Sequence, residues 1–133
     1  MKISKKTQYG LRAMIHLALK ENEFQSLREI SAEQGIPFNY LEKICSQLEK
    51  KKLLESRKGV NGGYILSISP KKIKVGTVMR ALEEKMSLVE CMDSSCFCDK
   101  RKNCLTVKAW VKLQESLEKT VDSISLYDLL KKD

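Results

Sequence analysis

Few residues suited to catalysis occur in this sequence. It holds a single histidine, His16, and lacks both a C-x-x-C redox pair and a glycine-rich phosphate loop. Because the usual motifs for dithiol redox catalysis and for nucleotide binding are missing, we predict that the protein is not an enzyme. His16 falls beside Leu17 in a predicted helix, where a packed or surface histidine is commoner than a metal ligand.

Long apolar segments are missing as well. No apolar run approaches the roughly 18 residues that a bilayer span requires. The basic residues 1–6 are not followed by the apolar segment of a signal peptide. With 133 residues, of which 42% are hydrophobic and 32% charged, the chain suits about one folded domain. We expect a cytoplasmic protein with no membrane partner.

Positive charge, in contrast, is abundant and concentrated. The net charge is +8, and residues 50–74 hold eight Lys or Arg residues against one acid, Glu55, so that this segment alone carries +7. Concentrated positive charge favours a polyanion through counterion release. A solvated basic surface is the alternative that charge alone leaves open.

An amphipathic helix is predicted over residues 5–21, and two short helices joined by a tight turn are predicted to follow it in the sequence. Ser26 and Glu29 form a capping box at the start of the first helix, which Gly35 ends. Pro37 precedes or opens the second helix, which has an apolar stripe opposite a polar, basic face. This arrangement predicts a helix-turn-helix whose second helix suits a major groove. An ordinary solvated helix face is the alternative.

A basic hairpin rich in glycine follows the helix pair. Strands are predicted over residues 53–57 and 63–68, and the turn between them has three glycines within five residues. Arg57 and Lys58 flank this turn. A hairpin directly after a helix-turn-helix is a wing, whose basic tip contacts phosphates or a minor groove. A plain surface hairpin is the alternative.

The remainder of the chain is predicted to be helical apart from residues 91–104. A short helix begins near Gly76, a long one covers residues 105–122, and Ser125 caps a last short helix. The long helix has a broad apolar face that a symmetric dimer would cover, unless it packs on its own N-terminal part. That face comprises Trp110, Leu113, Leu117 and Val121, widened by Val107 and Val111.

These elements predict a mainly α fold with a small β-wing. The expected architecture is a winged helix-turn-helix followed by a long C-terminal dimerisation helix. The divisions are a DNA-binding domain over residues 1–85, a cysteine-rich loop over 86–104, and the dimerisation helix with a short last helix over 105–133. The loop thus lies between the predicted DNA-binding domain and the predicted dimerisation helix, where a bound group can influence both.

Four of the five cysteines are clustered, at Cys91, Cys96, Cys98 and Cys104. Because disulfides are rare in the cytosol, this cluster indicates metal or redox chemistry. Thiolates are soft ligands suited to iron–sulfur clusters and to zinc. The paired C-x2-C spacing of structural zinc sites is absent, but zinc and metal-free redox thiols stay open as alternatives. The fifth, Cys45, lies on the apolar stripe of the second helix of the pair and is predicted to be core.

Several motifs, in their order along the chain, resemble one family. They are Lys6-Thr7-Gln8-Tyr9-Gly10-Leu11, Tyr40-Leu41-Glu42, Gly59-Val60-Asn61-Gly62-Gly63-Tyr64, and the cysteine loop with Cys104-Leu105-Thr106 and Trp110. Over nearly its whole length the chain resembles the IscR/NsrR/CymR type of winged-helix transcription regulators. The resemblance implies homodimers that bind roughly palindromic operators in double-stranded DNA.

The second helix of the pair and the wing are the parts that the resemblance directs towards DNA. Glu42 stands out because a carboxylate accepts from cytosine N4 but repels phosphate, which suits the rejection of wrong operators. A plain surface charge is the alternative. The candidate DNA-binding residues are Ser26, Arg28, Asn39, Tyr40, Glu42, Lys43, Gln47, Arg57, Lys58 and Gly59.

The resemblance also implies an iron–sulfur cluster, [2Fe–2S] or [4Fe–4S], in the cysteine loop. Ligand-bearing members of the family use three cysteines, which correspond here to Cys91, Cys98 and Cys104. The gap between the first two is one residue longer than in the IscR pattern. The family's fourth-ligand positions hold Val107 and Gln8 here, which are poor iron ligands. Cys96 is therefore the hypothesised fourth ligand.

The predicted function is a dimeric transcriptional regulator that senses redox state, iron or nitric oxide through this cluster. The alternatives are a metal-free thiol-based or effector-responsive regulator of the cysteine-metabolism type, a small redox or electron-transfer protein, and an adaptor or cluster carrier. A redox protein leaves the wing and the basic segment unexplained, and an adaptor or cluster carrier predicts no salt-sensitive operator binding.

Overall fold

The computed structural model describes residues 2–92 and 104–131, with the backbone alone at Cys91. Two 3-10 turns in this part cover Pro70–Lys72 and Glu90–Met92. Within it, a mainly helical fold carries a two-stranded antiparallel sheet, which confirms the predicted fold class. The elements are α1 (Lys5–Leu19), α2 (Leu27–Gln34), α3 (Phe38–Lys50), β1 (Leu54–Arg57), β2 (Gly63–Leu66), α4 (Val75–Leu82), α5 (Val107–Ser123) and α6 (Leu126–Leu130).

Local capping residues define the helix-turn-helix formed by α2 and α3. The Ser26 hydroxyl oxygen accepts a hydrogen bond from the Glu29 amide at 3.2 Å and thereby caps α2. Gly35 ends α2 in the left-handed conformation, at φ 64°, which glycine adopts without steric cost. Pro37 precedes α3 as predicted. The first helix ends earlier than expected because Lys20 leaves the helical conformation.

The wing is the predicted hairpin, and it is fastened to the helix pair. β1 and β2 pair antiparallel, with Arg57 opposite Gly63 near the tip, and β2 ends at Leu66, earlier than predicted. Beyond this ladder, the Gln25 amide donates to the Tyr64 carbonyl at 2.9 Å, and the Tyr64 amide donates to the Gln25 carbonyl at 2.8 Å. This bridge ties the wing to the residue that precedes the cap of α2.

Five helices contribute to the main core. Met14 of α1, Ile30 of α2, Ile44 of α3, Val78 of α4 and Leu126 of α6 are fully buried there. An isolated β-bridge joins the start of α4 to the cap of α6, so that the last helix shares the core of the winged part. The inner faces of α1 and α4 include the buried residues Met14, Ala18, Val78, Met79 and Leu82, and Leu11 and Ile15 pack against the cores.

The C-terminal half of α5 packs within its own chain. Val121 is buried and Leu117 is half-buried in a small second cluster against α4. The Arg80 guanidinium donates two hydrogen bonds to the Asp122 carboxylate, at 2.7 and 2.8 Å. These contacts fix α5 on α4 at one end.

The N-terminal half of α5 keeps an apolar surface. Val111 and Leu113 are exposed, and Trp110 is half-buried. Within residues 2–92 and 104–131, the apolar face predicted for this helix is therefore covered only towards its C-terminal end. None of the helices in the described part of the chain has the length and hydropathy of a bilayer span.

Candidate nucleic-acid interface

The third helix has two sharply different faces. Its apolar stripe, Leu41, Ile44, Cys45 and Leu48, is buried in the core as predicted. Its predicted contact residues Asn39, Tyr40, Glu42 and Lys43 are exposed. Because the apolar stripe holds the helix to the body, the polar face is presented outward on a rigid support. A helix displayed in this way has the dimensions to enter a major groove.

A groove runs between this polar face and the wing. Its volume is about 770 Å³, and it is lined by Glu42, Lys43, Ser46, Gln47, Lys50 and Tyr64. The structure thus brings three predicted contact residues of α3 together with a side chain of β2. The groove makes one continuous surface from α3, the candidate recognition helix, to the hairpin.

Tyr64 is a groove residue that the sequence reasoning did not select. Burial, followed by the nearby acidic groups of Cys45, Glu49 and Glu42, raises the pKa of its phenol above the ordinary value. The phenol therefore stays protonated at neutral pH and is available as a hydrogen-bond donor. The available signal was the motif Gly62-Gly63-Tyr64, which places an aromatic residue directly after the glycines of the hairpin turn.

Gln47 has a structural role that the sequence did not indicate. Its side-chain amide donates to the Ala81 carbonyl at 3.0 Å, which connects α3 to the last turn of α4. The amide nitrogen is thereby engaged inside the protein. This bond uses one of the two N–H donors of the Gln47 side chain.

The wing tip is exposed and internally braced. The Arg57 guanidinium carbon lies 4.1 Å from the centroid of the Phe24 ring, and its Nη2 donates to the Asn61 carbonyl at 2.7 Å. Arg57 therefore braces the hairpin as well as adding charge to it. Lys58 and Gly59, the other predicted wing contacts, are exposed at the tip.

The two predicted contacts on α2 differ in their exposure. Ser26 is half-buried and uses its hydroxyl oxygen as the helix cap. Arg28 is exposed on the first turn of the same helix. Ser26 thus orients the helix, whereas Arg28 offers its charge to the outside.

The basic segment singled out in the sequence divides between two places. Lys71 lies in the 3-10 turn at Pro70–Lys72. The first five basic residues lie instead at the end of α3 and in the hairpin: Lys50, Lys51, Lys52, Arg57 and Lys58. The Lys71 ammonium is 4.8 Å from the ring centroid of Tyr127 in α6, on which Lys131 also lies at 4.9 Å. Of the eight basic residues in this segment, Lys50 lines the groove.

The cysteine loop is described at its two ends. The Cys91 backbone lies in the 3-10 turn Glu90–Met92, and Cys104 Sγ lies 3.1 Å from Thr106 Oγ1, just before α5. Cys96 and Cys98 lie outside the described residues. Within the described ranges, no group of three or more His, Cys, Asp or Glu side chains is arranged to hold a metal ion.

Gln114 of α5 holds the segment that leads to Cys91. Its Oε1 accepts a hydrogen bond from the Leu88 amide at 2.8 Å, and its Nε2 donates to the Met86 carbonyl at 3.0 Å. The side chain is buried, with 8% relative exposure. Sequence reasoning missed Gln114, although its position in line with Trp110, four residues earlier, was a signal that a polar group faces inward.

The other positions considered as ligands in the sequence have different neighbours. Gln8 Nε2 donates to the Ile3 carbonyl at 2.9 Å, and Val107 is half-buried at the start of α5. His16 is only 3% exposed, with Nδ1 at 3.3 Å from Gln34 Nε2 and at 3.4 Å from Glu33 Oε2. His16 is therefore packed between α1 and α2, as expected of a core histidine.

A helix-turn-helix with an outward polar face and a following basic hairpin defines a winged helix-turn-helix protein. Over residues 3–132 the chain matches the model of the Rrf2 family, described as an iron-dependent transcriptional regulator. The chain belongs to the Rrf2 family.

Named relatives agree with this assignment. The regulator IscR of Aliivibrio salmonicida is 36% identical, and the match covers 98% of this chain and 77% of that protein. The solved structure of T. potens IscR has a TM-score of 0.80 and 37% identity, over 98% of this chain and 86% of the other. The structure of CymR, described as the global cysteine regulator of B. subtilis, has a TM-score of 0.80 and 33% identity, over 97% and 95% of the two chains. The chain is thus a transcriptional regulator of the IscR and CymR type, which confirms the resemblance seen in the sequence.

Proposed function

We propose that the protein works in the cytoplasm as a homodimeric regulator that binds roughly palindromic operators and reads its signal through an iron–sulfur cluster. The observation that carries DNA binding is the groove between α3 and β2, which joins the polar recognition helix to the basic wing. Asn39, Tyr40, Glu42 and Lys43 meet base edges in a major groove. Arg28, Lys50 and Lys58 contact phosphates.

Glu42 adds selectivity at this interface. It lines the groove together with Lys43 and Tyr64, so its carboxylate lies among hydrogen-bond donors. A carboxylate accepts a hydrogen bond from cytosine N4 and repels acceptor-only base edges. Glu42 therefore discriminates among operators by rejecting wrong ones.

The exposed apolar half of α5 is the dimer contact. Val111 and Leu113 are exposed next to the half-buried Trp110, whereas the other end of the helix is fixed on α4. A second copy of α5 covers these side chains at the lowest cost, because a two-fold interface uses the same surface twice. The resulting pair of recognition helices matches a roughly palindromic operator.

The cysteine loop holds the cluster through Cys91, Cys96, Cys98 and Cys104. Thiolates suit an iron–sulfur cluster, and Cys104 lies just before the N-terminus of α5, where the helix dipole favours a thiolate. Gln114 holds the segment before Cys91 on the same helix. When bound, the cluster supplies one-electron redox chemistry and sensitivity to oxidants and nitric oxide. The chain's part is to anchor both ends of the loop on the dimer helix.

DNA binding is tested by selecting fragments from genomic DNA with the purified protein and measuring duplex affinity by fluorescence anisotropy at several salt concentrations. The selected duplex is expected to bind at least about a thousandfold more tightly than a scrambled one, with affinity falling as salt rises. Glu42→Ala should alter the ranking of operator variants. Glu55→Ala, at an exposed acid on β1, is the matched control. Equal affinity for selected and scrambled duplexes contradicts the proposal.

The cluster is tested by an anaerobic visible spectrum with iron and sulfide counts. Cys96→Ser is expected to destabilise the cluster, whereas Cys45→Ala, at the buried cysteine of α3, leaves it in place. Operator affinity is then compared with and without the cluster at one salt concentration, since a ligand shifts a conformation only if it binds the two states unequally. Tight operator binding by a protein that never acquires iron would leave a thiol-based regulator instead.

A further inference from the structure

One face of α1 is directed at the start of the recognition helix. The rings of Tyr9 and Tyr40 meet edge to face, with centroids 5.7 Å apart and an interplanar angle of 81°. Arg12, one turn further along α1, donates through Nη2 to the carbonyl of Gln34, the last residue of α2. The first helix therefore contacts the helix pair on both sides of its turn.

The two tyrosines differ in how firmly each is held. Tyr9 is half-buried and packs against the main core. The Lys5 ammonium and the Arg12 guanidinium lie 5.9 and 6.0 Å from its ring centroid, within cation–π range. Tyr40 is exposed on the first turn of α3, where base contacts are made in helix-turn-helix proteins. Tyr9 is thus the fixed ring and Tyr40 the presented one.

We propose that Tyr9 is a positioning residue for DNA recognition, which holds the Tyr40 ring in its binding orientation before DNA arrives. This inference rests on the proposed function. An edge-to-face contact restricts the presented ring, because the edge of one ring is attracted to the face of the other in a narrow range of geometries. A side chain already ordered in the free protein loses less entropy on binding, so that affinity rises without a new contact to DNA.

A double-mutant cycle on the full-length protein tests this role. Tyr9→Met fills the space with a flexible apolar chain but removes the ring, and it is expected to weaken operator binding about two- to tenfold. In a Tyr40→Leu background the same change should have almost no effect, because the ring that it positions is gone. Tyr9→Phe keeps the ring and should restore wild-type affinity.

The control is another tyrosine with the same kind of neighbours. Tyr127 of α6 has two lysines on its ring, so Tyr127→Met removes an equivalent cation–π site away from α3 and should leave affinity unchanged. Circular dichroism and thermal unfolding establish that each variant is folded. If Tyr9→Met does not fold, Tyr9→Leu takes its place in the cycle, and Tyr9→Phe still reports whether the ring suffices.

Equal losses from Tyr9→Met in the wild-type and Tyr40→Leu backgrounds would overturn the positioning role, since Tyr9 would then act on stability or on DNA directly. Failure of Tyr9→Phe to bind as the wild type would overturn it as well. These outcomes are distinct from failure of the proposed function, in which the wild-type protein itself shows no preference for the selected operator and both proposals fall.

Discussion

Gly63 is the position at which the wing is most sensitive to a small change. A Cβ at this residue would lie 2.1 Å from the Gln25 carbonyl oxygen, and the backbone has φ 143°, a conformation that L side chains rarely adopt. Gly59, at the tip of the same hairpin, has φ 110° but nothing within 4 Å of the same Cβ. Gly63→Ala and Gly59→Ala therefore differ mainly in the clash with Gln25.

The difference sets the expected magnitudes. Alanine in such a backbone conformation costs about 1–3 kcal/mol at either position. At Gly63 the clash also separates Gln25 from Tyr64, whose two backbone hydrogen bonds contribute about 0.5–1.5 kcal/mol each. We expect Gly63→Ala to lower the free energy of unfolding by roughly 2–6 kcal/mol, and Gly59→Ala by roughly half as much. The larger loss is a substantial part of the 5–15 kcal/mol typical of a domain.

Urea unfolding followed by circular dichroism measures both losses, with hydrogen exchange at the Gln25 and Tyr64 amides as the local readout. Faster exchange of these two amides is expected in Gly63→Ala but not in Gly59→Ala, because only the former breaks the bridge. Equal losses of stability in the two variants, with unchanged exchange at both amides, would refute the reasoning from the Gln25 clash.

Three further outcomes follow from the described residues. Burial raises the pKa of Cys45 to about 12, so iodoacetamide at about pH 8 should leave it unmodified in the folded protein, as peptide mass spectrometry will show; alkylation as fast as in guanidinium would contradict this. Burial acts to raise the pKa of Glu83, but hydrogen bonds from Ser4 and Thr7 outweigh burial, and the net pKa is lowered. The contribution of Glu83 to the free energy of unfolding should therefore be full above about pH 4.3 and should be lost as the pH falls below that value. When the free energy of unfolding from urea titrations is plotted against pH, Glu83→Gln should reduce its fall below about pH 4.3. An unchanged plot would disprove the contribution of Glu83. Lys58→Gln should weaken binding to all duplexes alike and reduce the salt slope of log affinity by about one, whereas Lys71→Gln should not; anisotropy titrations in which both variants behave alike would count against the division of the basic segment.

The parts of the fold that local chemistry determines were predictable from the sequence. Ser26 and Gly35 delimit α2 because a hydroxyl cap and a left-handed glycine act within a few residues of each other. The buried stripe of α3, with Ile44 and Leu48, follows from the 3.6-residue period alone. The hairpin was readable for the same reason, since its turn requires glycine.

The missed features join residues that are far apart in the chain. Gln47 bonds to a carbonyl at the end of α4, and Gln114 bonds to the segment before the cysteine loop. Arg57 stacks on Phe24, and the whole helix-turn-helix lies between these two residues in the sequence. No local pattern marks such partners, because a polar residue on a helix has the same sequence signature whether its amide meets water or a distant backbone.

The position of Gln114 within α5 decides how a change in the cysteine loop reaches DNA in the proposed regulator. Towards the C-terminus of α5, Val121 and the Arg80–Asp122 ion pair fix the helix on the winged part of the chain. Towards its N-terminus lie Cys104 and the exposed apolar residues of the dimer contact. Gln114 lies between the two and holds the segment leading into the loop. In the proposed dimer we therefore expect a rearranged loop to act on the half of α5 that meets the partner. Because the other half is fixed to the winged part, we expect the rearrangement to change the spacing of the two recognition helices rather than the shape of either.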